Sequence, residues 1–281
     1  MDHPVCPVCT TSRIRKRFTK QSKHGDDFMI YACRRCAHEF IFPLPTGDEV
    51  AAYYDESYFT VRTERGYNDY FSEETKKQII RVFDLNLKDI AFPAFEHTLP
   101  PTKRSLDIGC AAGYFVELLK KRGWNATGID ISSECALYAK KNLELDVVCG
   151  DYLTTRYPEP FDLITMWATV EHLPRPDLFL KKARTEIFRS GRLYLSTCRS
   201  DSAFKKLHGK KWRYYNVPEH IHYFSNRSLS ILLESCGFSI DRLFTYGSGL
   251  GKGGTPLRRA ADILAKRMRL GDMVVVSAWP R

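Results

Sequence analysis

Nowhere in the 281 residues does an uninterrupted apolar run approach the roughly 20 residues that a membrane-spanning helix needs. The opening Met1-Asp2-His3-Pro4-Val5 also lacks the apolar stretch of a secretory signal, so a cytoplasmic protein is expected. Internal repeats and long low-complexity tracts are missing as well. The nine cysteines are an odd number, and only Cys6, Cys9, Cys33 and Cys36 fall into close pairs, a distribution that does not suggest a disulfide framework. Acidic residues are in deficit, 33 against 43 Lys and Arg, leaving a formal charge of +10. That balance favours anionic partners such as nucleotides, phosphorylated sugars or RNA without choosing among them. What is present, 43% hydrophobic and 27% charged residues, is ordinary globular composition, enough for one large domain and one small one.

Three segments follow from the punctuation of the chain. Residues 1–45 are cysteine-paired, lack helical periodicity and end at Pro43-Leu44-Pro45-Thr46-Gly47. Residues 46–100 form a connecting segment that opens with an aromatic cluster, Tyr53, Tyr54, Tyr58 and Phe59. It continues into a helix capped by Ser72, with Ile79, Val82, Phe83, Leu87 and Ile90 on one face. Over residues 101–281 short apolar runs alternate with helical stretches, the pattern of an α/β domain whose parallel sheet is covered on both faces. Gly123, after Lys120, Lys121 and Arg122, ends one helix, and Ser225 caps another that stops at Gly237. Strands are expected at Phe238 to Tyr246 and Met273 to Trp279.

The first strand of this domain runs into a glycine-bearing turn, Asp107-Ile108-Gly109-Cys110-Ala111-Ala112-Gly113, where backbone and ligand can approach closely. Asp130 closes the second strand and Asp151 the third, so three acids stand at the carboxyl edge of the sheet, where such folds bind ligands. Asp130 suits two ribose hydroxyls, Asp151 an adenine amino group, and Asp107 an ammonium-bearing tail. Capping or solvation is the bland reading of each acid alone; the three together are harder to dismiss. A dehydrogenase also places an acid after a glycine turn, but Gly109 to Gly113 does not match G-x-G-x-x-G.

Here the sequence resembles the class I S-adenosylmethionine-dependent methyltransferases, whose first motif reads D-x-G-x-G-x-G. Asp107, Gly109 and Gly113 match it, while Ala111 replaces the middle glycine. The resemblance covers about residues 50 to 281 and implies a Rossmann-like, seven-stranded, doubly wound sheet. By the same implication Gly109, Cys110, Ala111 and Gly113 lie near the methionine part of S-adenosylmethionine, Asp130 and Ile131 hold the ribose and adenine edge, and Asp151 with Tyr152 the adenine. Met166 and Trp167, opening the run to Leu173, look like the family's segment beside the sulfonium. Tyr58 is the member of the aromatic cluster expected to wall the cofactor, against a packing role.

Methyl transfer to a hydroxyl needs an aligned acceptor and a group that takes its proton, a task suited to histidine near neutral pH. Three stand at suitable places, His220, His172 and His222, in that order of preference. A packing role before Pro174 and Pro176 competes for His172. Alternation puts His220 and His222 on one face of an extended stretch, and the pair would bind a metal only with a third ligand that the sequence does not reveal.

Cys6-Pro7-Val8-Cys9 and Cys33-Arg34-Arg35-Cys36 are two C-x-x-C knuckles, the ligand set of a closed tetrahedral zinc site. Four protein ligands leave no position for water, so the Zn2+ is expected to be structural and to supply folding energy that so short a segment lacks. Similar zinc-ribbon modules precede methyltransferases that modify sugars of bacterial surface polysaccharides and antibiotics. Between Phe204 and Tyr215 cations interleave with aromatics, which suits a phosphate plus a stackable ring, with Trp212 and Tyr215 as acceptor-pocket candidates. The expected activity is O-methylation of a small hydroxylated acceptor, anionic or nucleotide-linked, such as a sugar or nucleotide sugar. An RNA methyltransferase, and a non-catalytic cofactor- or nucleic-acid-binding adaptor, are the alternatives.

Overall fold

The computed structural model describes residues 4–22, 25–46, 49, 69–247 and 256–281. Three short strands come first, β1 (Ile14–Gln21), β2 (Asp27–Cys33) and β3 (Glu39–Ile41), followed by helices α1 (Glu73–Asp89) and α2 (Phe92–Glu96). Alternation then sets in: β4 (Arg104–Ile108), α3 (Tyr114–Lys121), β5 (Asn125–Asp130), α4 (Ser133–Leu143), β6 (Val147–Cys149), β7 (Phe161–Trp167), α5 (Pro176–Glu186) and β8 (Ile187–Cys198). After α6 (Ala203–His208) and a single 3-10 turn come β9 (His222–Tyr223), α7 (Asn226–Ser235), β10 (Phe238–Tyr246), α8 (Pro256–Arg267) and β11 (Met273–Pro280).

Seven of these strands form one sheet in the order β10-β11-β8-β7-β4-β5-β6. The chain winds outward from β4 through β5 to β6, then returns to the other side of β4 with β7 and β8. This reversal makes the gap between the carboxyl ends of β4 and β7 the switch point of a Rossmann-like doubly wound fold. The sheet is not wholly parallel, as the alternation of elements implied. β11 enters beside the end of β10, with Met273 opposite Tyr246, and so runs antiparallel to both β10 and β8. The link through α8 stays at one edge of the sheet, which permits only the antiparallel pairing.

Local signals place the helix ends. Ser72 caps α1 by accepting the Thr75 N–H, and Gly123, at φ 80, follows α3 in the left-handed conformation that glycine adopts readily. Of the apolar face expected on α1, Ile79, Leu87 and Ile90 are buried, whereas Val82 and Phe83 line a cavity described below. The stretch through Ile187 and Phe188, which continues a helical pattern, already belongs to β8.

β1, β2, β3 and β9 make a second, antiparallel sheet, so the N-terminal ribbon takes its last strand from the far end of the chain. Cys6, Val8, Cys33 and Cys36 share a hydrophobic cluster with Leu229, Leu232 and Phe224, while Phe18, Ile30 and Ile41 pack with Trp212, Tyr215 and Ile221. So small a module buries its apolar residues against the large domain because it has no sufficient core of its own. The break at residue 45 is one of sequence rather than of packing.

Ser225 joins the two parts. It caps α7 in a reciprocal box with Ser228, and its hydroxyl donates to the Cys36 carbonyl at 3.1 Å. Ser225→Ala should cost about 1 to 2 kcal/mol, lowering the thermal midpoint by several degrees. A melt coincident with the parent protein would show that neither bond matters.

Candidate active site

At the switch point the turn after β4 is built on close contacts. Gly109 has φ 70, and a Cβ there would stand 2.5 Å from the Thr169 methyl carbon; one on Gly113, φ 78, would meet Leu145 at 2.8 Å. These two glycines therefore let the turn pack against its own fold. Between them Ala111 holds φ 45, a left-handed conformation that disfavours a side chain by about 1 kcal/mol or more. Its N–H donates to Asp130 Oδ2 at 2.7 Å, and the Ser132 N–H donates to Asp130 Oδ1 at 2.9 Å. The Ile131 N–H also faces this carboxylate, whose two oxygens offer more lone-pair directions than these three donors use.

Over this edge lies a cavity of about 1060 Å³. Gly109, Ala111, Asp130, Ile131, Asp151 and Tyr152, all at or just beyond the carboxyl ends of β4, β5 and β6, line it. Trp167 adds a wall, with an indole N–H that is buried and lacks a hydrogen-bond partner among the described residues. Four residues expected at the cofactor do not line the cavity: Asp107, Cys110, Gly113 and Met166. Asp107 sits beneath it, accepting the Thr165 hydroxyl at 2.6 Å, and burial raises its pKa to about 7. Cys110 packs under β5, where a Cβ on Gly128 would meet its sulfur at 2.6 Å, and Met166 is wholly buried in the core. Tyr58 and its aromatic neighbours lie outside the described residues.

His172 and His220 also line this cavity, their rings meeting edge to face with centroids 4.6 Å apart. His172 Nδ1 donates to the Glu219 carbonyl at 2.8 Å, which leaves Nε2 as the unprotonated nitrogen of the neutral ring. His222 does not join them. Both the Ile221 and His222 N–H groups donate to the Glu171 carbonyl, at 2.9 and 3.1 Å, and the chain bends there, so the two histidines do not share a face. His222 turns into the ribbon instead, its Nδ1 3.0 Å from His38 Nε2, and burial pushes His222 down to about 4 and His38 well below its usual value.

Several cavity residues carry no motif. Glu171, 1% exposed, has a carboxyl oxygen without a partner among the described residues, and burial raises its pKa to about 7. One atom from each of Glu171, His172 and His220 lies within 4.8 Å of the others, a grouping that leaves out His222 and so differs from the His220–His222 pair considered from the sequence. Arg213, Tyr214 and Asn216 line the cavity, whereas their neighbours Trp212 and Tyr215 are buried and turned away from it. Trp212 Nε1 donates to Asp272 at 3.1 Å, and the Tyr215 hydroxyl donates to Glu39. Phe83, Asn86 and Asp89 of α1 add to the wall, a contribution that only the amphipathic face of that helix hinted at, and Asp262, Ile263 and Lys266 of α8 line it as well.

A family model described as a methyltransferase domain matches residues 75–243. A ubiquinone biosynthesis O-methyltransferase of Coxiella burnetii is 34% identical over 101 residues, covering 34% of this chain and 43% of that protein. A counterpart from Aeromonas salmonicida is 31% identical over 102 residues, again covering 43% of its own length. The chain thus matches less than half the length of these curated relatives. Among solved structures, a SAM-dependent methyltransferase from Archaeoglobus fulgidus aligns with TM-score 0.51 at 20% identity, covering 71% of this chain and 93% of that one. The [4+2]-cyclase SpnF aligns with TM-score 0.57 at 19% identity, over 85% of this chain and 98% of its own. At these identities the likeness is one of fold, and a fold can host more than one chemistry.

Glu171 makes the electrostatics of the site testable. Its folded pKa of about 7 lies above the usual 4.5, so its protonated form favours folding at low pH, and that contribution is lost as pH rises from about 4.5 through 7. Relative to wild type, Glu171→Gln should gain on the order of 3 kcal/mol of stability between pH 4.5 and 8. Denaturant titrations of both proteins across that range measure it; a difference that does not change with pH would contradict it.

Proposed function

Because the chain belongs to the methyltransferase-domain family, we propose that it is an S-adenosylmethionine-dependent methyltransferase of class I that O-methylates a small hydroxylated acceptor, a sugar or nucleotide-linked sugar. The observation that carries this reading is a single cavity lined both by Asp130 and the Gly109 turn, taken as its cofactor arm, and by the His172–His220 pair, taken as its acceptor arm. When bound, the cofactor supplies an electrophilic methyl group on a sulfonium. Asp130 accepts from ribose hydroxyls, Ile131 and Tyr152 flank the adenine, and Asp151 accepts from its amino group. The indole N–H of Trp167, buried without a partner among the described residues, fits an acceptor atom on a ligand.

On the other arm His220 takes the acceptor's proton, with His172 as the second choice. His222, locked against His38, is no longer a candidate. Arg213 supports an anionic acceptor: it lines the cavity and is exposed, and no described carboxylate forms an ion pair with it. Of the basic segment, Lys205 is buried against Glu39, whereas Lys206, Lys210 and Lys211 are exposed, which is the observation that favours an RNA methyltransferase as the second reading.

A structural Zn2+ belongs to the same proposal. The Cys6 and Cys36 sulfurs lie 3.6 Å apart and those of Cys9 and Cys33 3.5 Å, close to the roughly 3.8 Å edge of a tetrahedron with 2.3 Å zinc–sulfur bonds. The Arg35 and Cys36 N–H groups point at Cys33 Sγ, as suits a thiolate.

Three outcomes test this reading. Asp130→Ala should weaken S-adenosylhomocysteine in calorimetry by about 10-fold or more, since charged hydrogen bonds are worth about 1.5 to 3 kcal/mol each; equal affinity would remove Asp130 from the site. With an acceptor identified by labelled-methyl transfer across nucleotide sugars and RNA, His220→Ala should lower kcat by about 10²- to 10⁴-fold with cofactor affinity unchanged. Near-normal turnover of both His220→Ala and His172→Ala would eliminate histidine base catalysis. Elemental analysis should find one zinc per chain that Cys33→Ser loses, whereas metal retained after two ligands are removed would refute the site.

A further inference from the structure

Between β8 and β9 the chain leaves the large sheet and returns, and this excursion carries Arg213, Tyr214, Asn216 and His220 to the cavity. From Trp212 to Ile221 it has no helix or strand of its own. Its position is set by contacts at several points along it. Trp212 is fastened to Asp272, and the Glu219 carbonyl to His172.

The Glu171 carbonyl holds its end through the Ile221 and His222 N–H groups, and further fasteners come from the ribbon. Tyr215, flanked by the cavity residues Tyr214 and Asn216, donates its hydroxyl to the Glu39 carboxylate of β3. Lys205, at the base of the excursion, donates to the same carboxylate at 2.8 Å, and Arg17 of β1 stands 3.6 Å from it. On the far side the Ile41 N–H donates to the Ile221 carbonyl at 3.1 Å, beside the pairing of Phe40 with His222. One short ribbon strand thus grips the excursion on both sides of its cavity-facing turn. Glu39, Lys205 and Tyr215 are all buried, so losing one partner leaves the others desolvated without compensation.

We propose that Glu39 is a positioning residue for the acceptor arm: through Tyr215 and Lys205 its carboxylate fixes where Arg213, Tyr214, Asn216 and His220 stand. Only the naming of that arm as the acceptor side rests on the function proposed above. The cofactor arm is built from the carboxyl ends of β4, β5 and β6, whose strand partners all lie in the large sheet. Loosening Glu39 should therefore disturb one arm of the cavity and spare the other.

The test uses Tyr215→Phe, which removes a single hydroxyl and keeps the ring, and Glu39→Gln, which keeps the shape and removes the charge. Amide exchange by mass spectrometry over residues 212–222 should quicken at least tenfold in both full-length variants. The imidazole signal of His220 in histidine-labelled protein should move. Exchange in β1 and β2 should stay at the wild-type level, and S-adenosylhomocysteine affinity within twofold of it. Unchanged exchange over residues 212–222 with an unmoved His220 signal would overturn the proposal. So would equal loosening of β1 and β2, which would make Glu39 a ribbon-holding residue and nothing more. Failure of wild-type protein to bind S-adenosylhomocysteine would instead refute the cofactor reading, while the exchange data still decide the role of Glu39.

Discussion

The carbonyl oxygen of Glu171 accepts two backbone N–H groups, those of Ile221 and His222, and much of the molecule's organisation hangs on that junction. It ties the turn after β7 to the return of the excursion that follows β8. By doing so it sets His172 beside His220, turns His222 toward His38, and delivers β9 to the ribbon as its fourth strand. Residues about 50 positions apart in sequence meet because one carbonyl with two lone pairs accepts two consecutive N–H groups of the returning chain.

What could be read from sequence follows the range of the forces involved. Ser72, Gly123 and Ser225 mark helix ends because capping depends on residues three or four positions away. The acids at the ends of β4 and β5 and after β6 stood out because strand ends and turns leave local signatures. The side to which an irregular segment points is different. Trp212 and Tyr215 were reasonable acceptor candidates by residue type, yet Asp272 and Glu39, both far away in sequence, draw them inward and leave Arg213 and Tyr214 at the cavity. The assumed alternation of His220 and His222 failed for the same reason, since the bend at Glu171 is a tertiary contact. Asp107 illustrates a third limit. Its position in the motif was legible, but its depth below the cavity depended on Thr165 of a neighbouring strand.

Function is distributed across this architecture unevenly. The arm under the Gly109 turn uses backbone geometry of one sheet, and the acids there are oriented by main-chain donors that any Rossmann-like domain supplies. The side with His172 and His220 is assembled from the turn after β7 and the excursion, with the ribbon behind it, while α1 packs on α3 beside the Gly109 turn. That division suits a protein whose cofactor is generic and whose acceptor is particular. It also explains the cost of burying Glu39, Lys205 and Tyr215 together, an arrangement that adds little stability but defines position.

The proposed activity requires one cavity to hold both the cofactor and the acceptor. A crystal structure with S-adenosylhomocysteine tests it most directly. It should show the ribose hydroxyls within hydrogen-bond distance of Asp130 and the sulfur facing His172 and His220. A ligand bound elsewhere, or seated in the cavity with its sulfur turned away from both histidines, would contradict it.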